Sequence, residues 1–141
     1  MRKSKWRLVV DTNIWISFLI SKNFPELLRL IETQKVVLLF SNELLEELLA
    51  VAERPKMRRY FPFENSYNLL GLFDVYGEFI EVKSKTSFST DKADNFLIDL
   101  AVDGRADYLI TGDAALLNVM TVKKTRIVKY SDFLKCIKYE R

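Results

Sequence analysis

Apolar and polar positions fall in blocks along this chain, and the blocks differ in period. Leu8-Val9-Val10, Val36-Val37-Leu38-Leu39-Phe40 and Tyr108-Leu109-Ile110-Thr111 are short runs bounded by polar or turn residues. Such runs predict strands buried on both faces, as in a parallel sheet covered by helices. The first strand extends back to about Trp6. Phe79-Ile80-Glu81-Val82 and Arg126-Ile127-Val128-Lys129 predict two more.

Between these runs the pattern takes a helical period. Thr12 to Ile20 predicts a helix, with Asp11 or Thr12 as its cap. Phe24 to Ile31 predicts a second, with Pro25 in its first turn. Ser41 caps a third, which runs to about Glu53 and is stopped by Arg54-Pro55. Pro62 to Tyr76 places Phe63, Tyr67, Leu70 and Phe73 on one side, and Gly77 fits its C-terminal stop. Ser84 to Thr90 is polar and predicts a loop. Asp91 to Val102, Ala114 to Met120 and Asp132 to Tyr139 complete the helices. Strands separated by helices imply βα units and an α/β fold with a parallel sheet of about five strands.

Composition narrows the chemistry. At 141 residues and 49% hydrophobic, residues 1–141 suit one domain with one packed core. The net charge of +3 is too mild to identify a partner. There is no His and only one Cys, Cys136. This excludes His-based triads, His-ligated zinc, internal disulfides and multi-Cys metal sites. Chemistry must come from carboxylates, Lys, Arg, Tyr or hydroxyls, which favours hard, oxygen-ligated cations. The four glycines form neither a dinucleotide fingerprint nor a P-loop. Asp11 interrupts the apolar run after the basic start, and no run approaches a membrane span. A cytoplasmic protein is expected.

Several acids have positions that could converge. Asp11 and Asp113 each lie just past the C-terminal end of a buried strand, where ligands bind in open α/β sheets; each could equally be a helix cap. At about 100° per residue, Asp94 shares a helix face with Leu97, Ile98 and Ala101, whereas Asp99 and Asp103 point the other way and are expected in solvent. A carboxylate on an apolar face is costly unless paired, metal-bound or hydrogen-bonded in a helix's first turn. Asp91 either caps that helix or sits at the rim of a site. Glu47 lies nearer the apolar face of its helix than Glu43, Glu46 or Glu53, by a margin too small for periodicity to select it.

Asp11-Thr12-Asn13, Ser41 to Lys56 (SNELLEELLAVAERPK), Asp91 to Phe96 (DKADNF) and Tyr108 to Leu117 (YLITGDAALL) together resemble the PIN domain. More narrowly, they resemble the PIN-family toxins of toxin–antitoxin systems. The resemblance covers nearly the whole chain. It implies a three-layer α/β/α sandwich and metal-dependent cleavage of RNA. It also implies an acidic, metal-binding site at Asp11, Glu47, Asp94 and Asp113, with Glu47 carried by the pattern E-L-x-x-V-x-x-R-P-K from Glu47 to Lys56. Asn13 and Thr111 match polar positions beside that site. The implied cofactor is one or two Mg²⁺ or Mn²⁺ ions, and the implied partners are RNA, an antitoxin protein and a second copy of the chain.

Such chemistry suits a chain without His. Carboxylates repel a phosphodiester unless divalent cations lie between them, and two ions about 3.5–4 Å apart can activate water and steady the leaving oxygen. Arg54, Lys56, Arg58 and Arg59 follow the Glu47 helix, with Tyr60 and Phe61 beside them; Lys83, Lys85 and Lys92 flank the loop before Asp94. These could bind phosphates and stack bases, or form an ordinary solvated surface. The alternatives to a ribonuclease are a non-catalytic RNA- or partner-binding module, a carboxylate phosphatase and a structure-specific DNA nuclease.

Overall fold

A computed structural model describes residues 5–20, 29–33, 35–56, 74–75, 77–87 and 92–139. Its elements in chain order are β1 (Trp6–Val10), α1 (Thr12–Ile20), β2 (Val36–Phe40), α2 (Asn42–Ala52), β3 (Gly77–Phe79) and α3 (Lys92–Asp103). There follow β4 (Tyr108–Ile110), α4 (Ala114–Val119), β5 (Thr121–Val122), β6 (Thr125–Val128) and α5 (Tyr130–Tyr139). The strands form one sheet of order β3-β2-β1-β4-β6-β5. Every pairing is parallel except that of β5 with β6.

β1 lies inside the sheet because it is apolar on both faces. Leu8 pairs with Leu38 on one side and with Tyr108 on the other, and Leu8 and Val9 are fully buried. Right-handed crossovers place helices on opposite faces when the chain reverses its direction across the sheet. Trp15 of α1 stacks on Phe40 at 5.9 Å, and Phe18 meets Tyr130 of α5 edge-on at 4.7 Å. Helix α1 also packs on α2. Helix α3 covers β1, β2 and β4 from the other face, where Leu39 reaches it at Gly104. The result is a three-layer α/β/α arrangement around a mostly parallel sheet, as the sequence implies.

Among the described residues the sheet has six strands where about five are expected. β5 is two residues long and carries no apolar run, so nothing in its pattern announces it. It joins β6 through a tight turn at Lys123-Lys124, with Lys123 at φ 51°. Hairpin turns of this kind are normally signalled by Asn-Gly or a similar pair.

β3 begins at Gly77, two residues before the expected Phe79. Gly77 pairs with Leu38 and so already belongs to the strand. The Ile80 N–H donates to the Phe40 carbonyl at 2.7 Å, and the chain then leaves the sheet. Of the expected helix from Pro62 to Tyr76, only residues 74–75 are described, and they are helical. Of the expected helix from Phe24, residues 29–32 are described and helical, and the rest lies outside the described residues.

Asp99 and Asp103 are not solvated. Asp99 is 8% exposed and Asp103 is half-buried. Asp99 accepts the Thr86 N–H at 2.8 Å. Asp103 accepts the Lys83 and Ser84 N–H groups at 2.6 and 2.9 Å, and the Ser84 hydroxyl as well. Residues 80–87 run over this face of α3, and their amides require acceptors once no neighbouring strand supplies them. Helical periodicity alone cannot reveal an extended segment lying across the polar face.

Helix α3 ends with Ala106 N–H bonded to the Ala101 carbonyl at 2.9 Å and Arg105 N–H to that of Val102 at 3.2 Å, a Schellman closure. The left-handed residue in it is Arg105, at φ 52°, not Gly104. Gly104 is there for space: a Cβ on it would lie 2.7 Å from Leu39 Cδ1 and 3.0 Å from the Leu100 carbonyl oxygen. Among the described residues no helix is long and apolar enough to cross a membrane.

Candidate active site

The strand order fixes where a ligand site forms. From β1 the chain moves outward to β2 and β3, then crosses back to β4 and continues to β6. The direction reverses between β1 and β4, and in open α/β sheets the crevice at the carboxyl ends of such a pair takes the ligand. Asp11 follows β1 and Thr111 follows β4 at that point. The Asp11 N–H donates to the Ile110 carbonyl at 2.9 Å, so the two strand ends are joined by backbone as well.

Three of the expected residues are linked there. The Thr111 hydroxyl, fully buried, donates to Asp11 Oδ2 at 2.8 Å. The same hydroxyl oxygen accepts the Asp113 N–H at 3.0 Å. Asp11 Oδ1 accepts the Asn13 N–H at 3.1 Å. Asp11 is 9% exposed. A carboxylate offers about four acceptor positions, so these two bonds orient Asp11 without exhausting it.

Both aspartates also cap helices, the alternative role their positions allowed. Asp11 caps α1 through the Asn13 bond and through its carbonyl, which accepts from Ile14 and Trp15. Asp113 is the N-cap of α4, its Oδ2 accepting the Leu116 N–H at 3.0 Å. Capping and convergence are compatible, because both follow from a strand ending where a helix begins.

Asp94 lies in the first turn of α3, 9% exposed, on the side that carries the buried Leu97, Ile98 and Ala101. Glu47 is exposed on α2, between the buried Leu44 and Leu48. The Asn13 side chain is exposed. Arg54 and Lys56 are exposed in the turn after α2, and Lys83 and Lys85 are exposed on the segment pinned to α3. Asp91, Arg58 and Arg59, with Tyr60 and Phe61, lie outside the described residues.

The donors are all oxygen, the chemistry a hard divalent cation takes. Among the described residues, however, no three carboxylates come together closely enough to hold one. One Asp113 oxygen is turned back to its own helix, and Glu47 stands in solvent. The described arrangement is a hydrogen-bonded Asp11–Thr111–Asp113 chain at the strand ends, not a formed ion site.

A network at the opposite end of the sheet was not legible in sequence. Asp107 is 8% exposed, and its Oδ2 accepts the Arg7 N–H at 2.8 Å. Arg7 in turn donates Nε–H to the Gly104 carbonyl at 2.9 Å and pairs with Glu78 at 2.6 Å. These bonds tie β1, β3 and the start of β4 together below the crevice and leave the acids above it.

Comparison with known proteins agrees with this fold. The chain matches the PIN domain over residues 7–115, from β1 into α4, a span that holds Asp11, Glu47, Asp94 and Asp113. An uncharacterized protein of Methanocaldococcus jannaschii is 33% identical over 127 residues, covering 88% of this chain and 81% of that protein. PIN domains are generally nucleases and usually use divalent metal ions. With its reversed strand order, the acids at the reversal and a match over most of its length, this chain belongs to the PIN domain family.

Proposed function

We propose that this chain is a Mg²⁺- or Mn²⁺-dependent endoribonuclease in which Asp11, Glu47, Asp94 and Asp113 are the acidic residues of the site. The observation that carries the reading is the Thr111 hydroxyl holding Asp11 beside Asp113 at the strand-order reversal. In a chain without His, carboxylates are the natural groups to handle the proton of an attacking water. Asp94, buried in the first turn of α3, is the third acid, and Asn13 is a substrate contact. Asp91 belongs to the rim. Arg54, Lys56, Arg58 and Arg59 would hold the phosphates of the strand. We further propose that the enzyme is the toxin of a toxin–antitoxin pair, restrained by an antitoxin protein, and that it acts as a homodimer in the cytoplasm.

The test is a cleavage assay on structured and unstructured RNA, with Mn²⁺ and with EDTA, on wild type and Asp94→Asn. The expected result is Mn²⁺-dependent products from wild type and none from a folded Asp94→Asn. Cleavage by both proteins alike, or full activity in EDTA, refutes the reading. DNA hairpins and phosphomonoesters run alongside separate it from a DNA nuclease and a phosphatase.

A non-catalytic RNA- or partner-binding module is the second reading. The exposure of Glu47 and the lack of a three-carboxylate group among the described residues favour it. It predicts RNA binding without products and no rise in melting temperature on adding Mn²⁺.

A further inference from the structure

At the amino end of β4, away from the acids, a cavity of about 450 Å³ is lined by Ala101, Val102, Arg105, Lys123, Lys124 and Thr125. Arg105 arrives there from the end of α3. Lys123 and Lys124 arrive in the β5–β6 turn, since β6 runs parallel to β4 with Arg126 level with Tyr108. The lining holds three cations and no carboxylate. Outside the lining, Lys123 lies near Asp103, and Lys124 Nζ is 3.9 Å from Asp107 Oδ1. The Arg105 guanidinium makes no hydrogen bond or ion pair among the described residues.

The backbone supplies a second, independent observation. Arg105 and Lys123 both have left-handed backbone, at φ 52° and 51°. Gly fits such positions with least strain, in helix closures and hairpin turns alike. Of the three described residues with such backbone, Met120 at φ 69° is uncharged and lies outside the lining, while the two that are cations, on separate elements, both line the same cavity. Their backbone geometry gives no reason for a cation at either position, and Arg105 has no acid partner among the described residues to give one.

We propose that this cavity binds a phosphomonoester group, presented by a free nucleotide or by the 5′ end of an RNA strand. A phosphomonoester carries about −1.5 to −2 charge at neutral pH, so beside the unpaired Arg105 it competes with Asp103 and Asp107 for the two lysines better than a singly charged phosphodiester or carboxylate does. A guanidinium meets phosphate oxygens with paired donors, while lysines add point charges. The inference stands on this cavity alone and does not depend on the ribonuclease reading.

Titration calorimetry at constant ionic strength, with EDTA present, tests it. The probes are inorganic phosphate, a nucleoside 5′-monophosphate, and one RNA oligonucleotide with either a 5′-phosphate or a 5′-hydroxyl. The protein variants are Arg105→Gly with Lys123→Gly, and separately Lys124→Gln. Wild type is expected to bind the monophosphate or to prefer the 5′-phosphorylated RNA, and whichever it binds more tightly identifies the source. The double glycine variant, shown by its melting transition to be folded at the assay temperature, should lose about tenfold or more in affinity, and Lys124→Gln should weaken binding in the same direction. Failure of every phosphomonoester probe, equal binding of the two RNAs together with no binding of the free phosphates, or unchanged affinity in the double variant overturns the proposal.

Discussion

The Thr111 hydroxyl and the Asp11 carboxylate, a hundred positions apart in sequence, lie 2.8 Å apart at the adjoining ends of β4 and β1. The same hydroxyl oxygen accepts the Asp113 N–H. One buried side chain therefore sets the position of two acids, donating to the first and accepting from the backbone of the second.

Replacing it should show this. Thr111→Val keeps the shape but strips Asp11 of a donor and leaves the Asp113 N–H without its partner. The expected loss is about 1–3 kcal/mol of stability in urea unfolding, together with any nuclease activity of the wild type. Thr111→Ser should keep most of both, because the hydroxyl remains. A Val variant as stable as wild type would show that the hydroxyl does not hold the strand ends.

Gly104 gives a prediction of the opposite kind, in which a group is added. Gly104→Ala places a Cβ 2.7 Å from Leu39 Cδ1 and 3.0 Å from the Leu100 carbonyl oxygen. The side chain could shift, but the backbone oxygen cannot move without opening the last turn of α3. The expected cost is about 1–3 kcal/mol, read from the urea midpoint.

Asp103 makes stability depend on pH. Burial alone would raise its pKa, but the Ser84 hydroxyl, the Ser84 and Lys83 N–H groups and the nearby Lys123 ammonium outweigh burial and hold it below 3.8. A depressed carboxyl adds stability that is complete above its unfolded value and is lost as pH falls through the folded one. The wild type should therefore be more stable than Asp103→Asn at neutral pH. The gap should narrow as urea midpoints are followed from about pH 5 to pH 2. A gap that stays constant over that range would mean that Asp103 does not titrate against these partners.

Much of the sheet was legible because β1, β2 and β4 are buried on both faces, and burial on both faces leaves an uninterrupted apolar run. The edges were less so. β5 is a two-residue strand whose turn uses Lys123-Lys124 in place of a residue pair that signals one. β3 is placed by its pairing with β2, so its register, not its most apolar stretch, sets where it starts. Among the acids, Asp11 and Asp113 were legible because a strand end is marked in sequence by the change from apolar to polar. Asp99 and Asp103 were misplaced because periodicity assigns a helix face without knowing what else lies on it. Glu47 could be selected only by resemblance, and it stands exposed on α2.

The central position of β1 also governs when the crevice can exist during synthesis. Its wall on one side, β2, is made early, but the other wall needs β4 and Asp113, which follow far later in the chain. A nascent chain emerging amino end first has Asp11 long before anything stands opposite it. A ribosome making this protein is therefore adjacent to an incomplete crevice until β4 has emerged, and any truncated product ending before β4 lacks the crevice altogether.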